Sequence, residues 1–229
     1  MGMKKNIVIS LGGSIMHPDM INTEYIRKFV LFIKAEIKKG NKFIIITGGG
    51  SLARKFQKAA DACGTVSDAE KDWLGIQATR MHALLLRSLF GSSVYPEIIV
   101  RRGQVRSFGK YKIIIGGGWA PGWSTDFVSV QLAADFKINM VVNLGKPAYV
   151  YTKDNVRFPD AKPLPQLSWN EYFTIIPKKW KPGMRAPIDP IAARLAKKEG
   201  MRMVVTSGND ITNIRHIFEG RPFKGTLVQ

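Results

Sequence analysis

Gly116-Gly117-Gly118-Trp119-Ala120-Pro121-Gly122-Trp123-Ser124-Thr125-Asp126 stands between the apolar run Tyr111 to Ile115 and the helical pattern Phe127 to Phe136. The order is strand, glycine turn, helix. Glycines let a backbone come close to a ligand, and a helix start presents unpaired N–H groups at the positive end of its dipole. An anion fits there, most simply a phosphate. Gly12-Gly13-Ser14 follows the apolar run Asn6 to Leu11, and Gly48-Gly49-Gly50 follows Lys42 to Thr47, in the same way. Three such turns imply two phosphate groups to hold side by side.

Outward from these turns the chain reads as alternating strands and helices. Between the first two runs, Ile26, Phe29, Val30, Ile33 and Ile37 keep helical spacing, with Asn22 or Thr23 as cap and Gly40 as terminator. That opening is β-α-β, which implies parallel strands joined by a right-handed crossover. A helix is expected from Ser51 to near Gly64 and a longer one from about Asp68 to Leu89, then strands at Glu97 to Val100 and Tyr111 to Ile115. Beyond Phe136, strands are expected at Asn139 to Leu144 and Tyr149 to Tyr151, and Asp154 to Pro165 reads as a polar connection. Ser168-Trp-Asn-Glu171 has capping-box spacing and starts a short helix. Trp180 to Pro187 reads as irregular, and Asp189-Pro190 opens the next helix, since proline suits a first turn. Strand Met201 to Thr206, helix Ile211 to Phe218 and an edge strand Gly225 to Val228 complete the pattern.

The 229 residues carry 35 Lys+Arg against 17 Asp+Glu, a formal charge of +18. Such an excess draws polyanions and phosphorylated metabolites alike. No helix-turn-helix, zinc pattern or aromatic RNA-binding signature accompanies it, so nucleic acid is not expected as the primary ligand. The single cysteine, Cys63, and the lack of a leader-like start before the first strand point to a cytoplasmic protein. No apolar run approaches the roughly 20 residues that cross a bilayer. His17, His82 and His216 show no ligand spacing, so no metal-ligand set is expected, and His82 reads as a packing residue. Gly117 to Gly122 has Walker spacing, but Trp123-Ser124 stands where Lys-Ser/Thr is required. The G-x-G-x-x-G dinucleotide pattern is absent as well.

Taken together, Leu11-Gly-Gly-Ser14, Thr47-Gly-Gly-Gly-Ser-Leu-Ala-Arg54, Lys71-Asp72-Trp-Leu-Gly-Ile-Gln77 with Thr79-Arg80, and Gly117-Gly118-x-x-Pro121-Gly122-x-x-Thr125-Asp126 resemble the amino-acid-kinase superfamily. Within it they are similar to the archaeal-type uridylate (UMP) kinases, and Tyr151-Thr-x-Asp154, Ile188-Asp189-Pro190-x-Ala192 and Gly225-Thr226 continue the likeness over nearly the whole chain. The resemblance implies a three-layer α/β/α sandwich with a mostly parallel central sheet, folded as one domain over residues 1–229, with an acceptor half of about 1–136 and an ATP half of about 137–229. It implies transfer of the γ-phosphate of ATP to UMP, Mg²⁺ with the ATP, and a homo-oligomer, commonly a hexamer. By position, Gly13, Ser14, Gly50 and Arg54 would hold the ATP phosphates, and Tyr151 and Asp154 the adenosine. Gly49, Asp72, Gly118 and the loop Trp119, Ala120, Pro121, Gly122, Trp123, Ser124 and Thr125 match the UMP-binding positions, with Asp72 on the ribose and Thr125 near the phosphate. Arg54, Asp189 and Lys146 are the candidates for catalysis, with Lys5 an alternative to Lys146 as the essential lysine.

The chain also departs from that pattern. Where relatives carry Asn-x-Asp-Gly or Asn-x-Asp-Tyr it has Lys146-Pro147-Ala148-Tyr149, without the carboxylate, and Ser10 stands where many members have lysine. Trp119 and Trp123 read as packing before stacking. A nucleotide-binding homologue with weak turnover, a kinase of another small phosphate such as isopentenyl phosphate, and a polyanion-binding module are the competing readings.

Overall fold

The computed structural model describes residues 4–177 and 186–229. Among the described residues seven strands form one sheet, in the order β3 (Ile113–Gly116), β2 (Lys42–Thr47), β1 (Asn6–Leu11), β4 (Met140–Gly145), β8 (Arg202–Ser207), β9 (Thr226–Val228) and β7 (Gln166–Leu167). The strands β1, β2, β3, β4 and β8 are mutually parallel. Parallel strands place all their carboxyl ends on one edge, so the glycine turns after β1, β2 and β3 emerge side by side.

Period-two alternation divides the buried strands between two cores. Ile7, Ile9 and Leu11 of β1 face one layer and Val8 the other; Phe43 and Ile45 of β2 face the first, Ile44 and Ile46 the second. The first layer is covered by α2 (Thr23–Lys38) and α8 (Ile211–Glu219), which contribute Phe29, Ile33, Ile214 and Phe218, with Leu86 of α4 (Asp68–Ser88). The second is covered by α5 (Thr125–Asp135), α6 (Trp169–Ile175) and α7 (Pro190–Lys198), through Val128, Tyr172 and Ala193. This is the expected three-layer sandwich. α1 (Gly13–Met16) is a single turn after β1, and α3 (Gly50–Cys63) packs against α4 beside the sheet edge. Asn22 is the cap of α2, and Ser168 and Glu171 form the expected capping box of α6.

Several expectations need correcting. Thr226–Val228 (β9) is not an edge strand: it lies between antiparallel β8 and parallel β7 (Gln166–Leu167), whose two residues after Pro165 were too short to read as a strand. Glu97 to Val100 forms no strand but a single bridge from Ile99 to Gly116, because the Val100 amide is taken by the Gln104 side chain at 2.9 Å. β3 starts two residues late, since the Tyr111 amide closes a turn onto the Phe108 carbonyl. The polar connection after Asp154 includes β6 (Pro163–Leu164), which forms a hairpin with β5 (Val150–Tyr151). The irregular segment expected from Trp180 lies, up to residue 185, outside the described residues.

Candidate active site

The first two glycine turns are in backbone contact. A Cβ on Gly13 would lie 2.1 Å from the Gly50 amide nitrogen, and one on Gly50, at φ +60, would lie 2.4 Å from the Gly13 carbonyl oxygen. Only glycine permits that approach. The third turn is seated on α4: the Gly118 amide donates to Thr79 Oγ1 at 2.7 Å, and Arg80 donates from Nε to the Gly118 carbonyl at 3.2 Å and from Nη2 to the Trp119 carbonyl at 3.3 Å. Asp72, near the start of α4, accepts from the Gly122 amide at 2.9 Å. The acceptor loop is therefore fixed by α4 at three points.

Between α3, α4 and this loop lies a cleft of about 380 Å³. Of the expected residues, Gly49, Gly50, Arg54, Asp72 and Asp189 line it, as do Gly118, Ala120, Trp123, Ser124 and Thr125 of the acceptor loop. Arg54 is exposed and forms no ion pair among the described residues. The two tryptophans divide. Trp119 is 4% exposed in the core, with its indole nitrogen lacking a partner among the described residues, whereas Trp123 is 44% exposed and lines the cleft. Gly13, Pro121 and Gly122 do not line it; Gly13 is buried and the other two are half-buried.

The donor-side residues lie elsewhere on the same sheet edge. The Gly12 amide donates to the Leu144 carbonyl at 2.8 Å and the Gly208 amide to the Gly145 carbonyl at 2.9 Å, so the Lys146 turn neighbours the first glycine turn. Lys146 and Asp154 are exposed, Ser14 and Tyr151 half-buried, and none lines the cleft. Asp154 accepts from the Val156 amide at 2.9 Å and pairs with Arg157 at 3.6 Å. Lys5 is far from both: it donates to the Phe218 carbonyl at the opposite sheet end.

Sequence reasoning missed one carboxylate of the cleft. Asp126, the second residue of α5, is half-buried and accepts at Oδ1 from Ser10 Oγ at 2.8 Å and Asn143 Nδ2 at 3.1 Å. Burial pushes its pKa up to about 7, and the Asp189 charge beside it adds to the rise. Asp189 caps α7 through Oδ1, accepting from the Ile191 and Ala192 amides at 2.7 and 3.0 Å, and takes the Ser124 hydroxyl on Oδ2. Tyr172 holds the preceding residue, donating to the Ile188 carbonyl and accepting from its amide, both at 2.7 Å. The hint was available, because Asp126 ends the glycine stretch at a helix start, but nothing local says that it meets Ser10 and Asp189.

His82 does more than pack. Its Nδ1 lies 2.7 Å from the Gly48 carbonyl, which can only accept, so Nδ1 carries the proton and Nε2 accepts from His17 Nδ1 at 3.1 Å. Burial pushes the His82 pKa down, which keeps the ring neutral. A buried histidine pair thus holds the second glycine turn from behind.

The Amino acid kinase family profile matches residues 5–207. Uridylate kinase of Staphylothermus marinus is 31% identical over 227 residues, 99% of each chain, and uridylate kinase of Pyrococcus abyssi is 30% identical over 225 residues, 97% of this chain and 99% of that one. Among solved structures, uridylate kinase from Archaeoglobus fulgidus superposes with a TM-score of 0.80 at 29% identity, covering 99% of this chain and all of the other. UMP kinase from Ureaplasma parvum, at 17% identity and a TM-score of 0.74, shares the fold. The glycine turns gathered on one sheet edge, the loop seated on α4 and a match running end to end lead to one conclusion: this chain belongs to the amino acid kinase family.

Proposed function

We propose that this protein is a UMP kinase that transfers the γ-phosphate of ATP to UMP and releases ADP and UDP. The observation that carries the reading is the cleft itself: Asp72, Arg54 and the acceptor loop converge there in a chain whose full-length relatives are uridylate kinases. UMP would enter with its ribose toward Asp72 and its phosphate toward Thr125 and the start of α5, whose amides favour an anion. Its phosphate oxygen is already anionic at neutral pH, so attack on the γ-phosphorus, with cleavage of the bond to the ADP oxygen, needs alignment and charge neutralisation rather than a general base. Arg54 neutralises charge on the transferring group, Ser14 and the turn at Gly50 hold the ATP phosphates, and Tyr151 and Asp154 receive the adenosine.

Asp126 and Asp189 offer the hard oxygen donors that Mg²⁺ takes beside phosphate oxygens, and the closeness of the two carboxyl groups favours a cation between them. These residues would hold a Mg²⁺ that enters with ATP, and its chemistry there is neutralisation of phosphate charge. Among the described residues no helix is long and apolar enough to cross a membrane, in keeping with a cytoplasmic enzyme. The exposed Phe56 of α3 and Trp73, Met81 and Leu84 of α4 suit burial between subunits of a homo-oligomer, a hexamer by resemblance.

A coupled ADP-release assay with UMP tests the reading. Turnover of UMP above other monophosphates and isopentenyl phosphate supports it. The second reading, a nucleotide-binding homologue with weak turnover, is favoured by Lys146-Pro147-Ala148-Tyr149, which lacks the usual carboxylate. Tight UMP binding without ADP release selects it, and Ala148→Asp then raises the rate; an unchanged rate removes that residue as the cause.

A further inference from the structure

The parallel sheet that gathers glycine turns at one end gathers basic residues at the other. Lys5 precedes β1, Lys42 opens β2, Lys112 precedes β3 and Arg202 opens β8. Three of them are backbone neighbours: the Phe43 amide donates to the Lys112 carbonyl and the Lys42 amide to the Lys5 carbonyl, both at 2.9 Å. With strands about 4.8 Å apart, the row from β3 to β8 spans about 20 Å.

Helix chemistry accounts for only part of this charge. Lys38 in α2 and Lys197 and Lys198 in α7 occupy last turns, where cations complement the helix dipole, and Lys5 caps the end of α8 through the Phe218 carbonyl at 2.6 Å. Lys42, Lys112 and Arg202 have no such assignment and form no ion pair among the described residues, although Lys42 Nζ stands 5.3 Å from the Phe108 ring centroid. The carboxylates at this end are engaged: Glu36 with Lys39 at 2.7 Å, Asp135 with Arg102 at 2.6 Å, and Glu219 with Arg221 at 3.3 Å and Lys39 at 3.7 Å. Glu199 faces Arg102.

Beside the β3 end of the row, where the Lys112 amide donates to the Ser93 carbonyl at 2.9 Å, opens a second cleft, of about 640 Å³. Arg87, Ser88, Ser92, Lys110 and Tyr111 line it. Lys110 Nζ stands 5.5 Å from the Tyr111 ring centroid, and Arg87, which donates from Nη1 to the Pro96 carbonyl, keeps a buried Nε without a partner among the described residues. Strand alternation sends Lys112 and Lys42 to the α5 face and Arg202 to the other, so cations flank both faces of this end beside a cleft with an aromatic ring, and a flexible polyanion carrying stacking bases can follow them across the end. A lipid surface fits less well, because among the described residues the large exposed apolar side chains, apart from Leu89 and Leu31 of α2, belong to the α1–α2 connection, α3, α4, the acceptor loop and the β5–β6 hairpin.

We propose that this end of the molecule is a docking surface for single-stranded RNA, with phosphates along Lys112, Lys42 and Arg202 and a base against Tyr111 in the cleft beside them. The surface is independent of the kinase reading, since it lies at the opposite end of the sheet from the acceptor cleft.

The test is fluorescence anisotropy with a labelled mixed-sequence RNA about 20 nucleotides long, at saturating UMP and a non-hydrolysable ATP analogue. The triple variant Lys42→Glu/Lys112→Glu/Arg202→Glu is expected to weaken binding about 30-fold or more and to flatten the salt slope by about 2. The charge-matched triple Lys34→Glu/Lys58→Glu/Lys162→Glu is expected to lose less than about threefold. Thermal melting of both triples reads folding, and the corresponding Gln substitutions replace any reversal that does not fold. Tyr111→Ala is expected to weaken single-stranded RNA about tenfold and duplex RNA little. Equal losses in the two triples, displacement of RNA by the nucleotides, absence of RNA binding by the unmutated protein, or tighter binding to phosphatidylserine vesicles than to RNA overturns the proposal. None of these outcomes depends on phosphoryl transfer.

Discussion

Around Asp72 and Trp123 the chain encloses a cleft whose walls are bonded together, Asp72 to Gly122, Arg80 to Gly118, Ser124 to Asp189. Around Tyr151 and Asp154 it presents an open hairpin edge held by short local bonds such as Asp154 to Val156. The enclosed side is organised before any ligand arrives, so little ordering entropy opposes acceptor binding. On the proposed assignment of ATP to the open side, exposed groups such as Lys146 must become ordered as it binds. The two halves, on that proposed assignment, pair a prepared acceptor cleft with a donor surface that is completed by its nucleotide, and substitutions separate these behaviours.

The largest effect is expected at Asp126, which lines the enclosed side. Its folded pKa of about 7 lies above the ordinary value of 3.8, so the folded state binds the extra proton, and stability is lost as pH rises through about 7. Asp126→Asn keeps an acceptor for Ser10 and Asn143 without the charge. Its stability relative to the unmutated protein, read by urea denaturation without ligands, is expected to rise between pH 4 and 8, by on the order of 4 kcal/mol at most. An unchanged pH dependence would mean that the carboxylate is solvated and the cleft open.

Arg54→Ala is expected to lower kcat by about 10²- to 10³-fold, as when one preorganised cation or donor is removed from a transition state. A loss confined to KM would place Arg54 on ground-state binding alone. Asp72→Asn tests the prepared wall more gently: KM for UMP is expected to rise about tenfold with kcat little changed, from one charge-assisted hydrogen bond. On the open side, Tyr151→Ala is expected to raise KM for ATP only a few-fold, since a single aromatic contact is worth about 1 kcal/mol. If Tyr151→Ala costs more than Asp72→Asn, the contrast between the halves fails.

The acceptor loop was legible because glycine, proline and a helix cap encode conformation locally, and Ser124 does cap α5 by accepting from the Phe127 amide at 3.0 Å. Asp126 was quoted within the same stretch yet given no role, because its importance comes from partners contributed by β1 and β4. His82 was read as packing for a similar reason: helical spacing shows that it is buried, not that it ends on the Gly48 carbonyl. The edge strand was misplaced because β7 is two residues long, below what alternation can register.

By itself, then, the sequence determined the alternation of strand and helix, the parallel sense of the sheet and the glycine turns at its carboxyl edge. All of these follow from backbone sterics and side-chain periodicity within a few residues. Only the tertiary structure decided which turns touch, that Trp119 is buried while Trp123 lines the cleft, and that Asp126 meets Asp189. Ser124 and Asp189 are 65 residues apart, and such meetings arise from the packing of α5 and α7 on one face of the sheet, which no local spacing records.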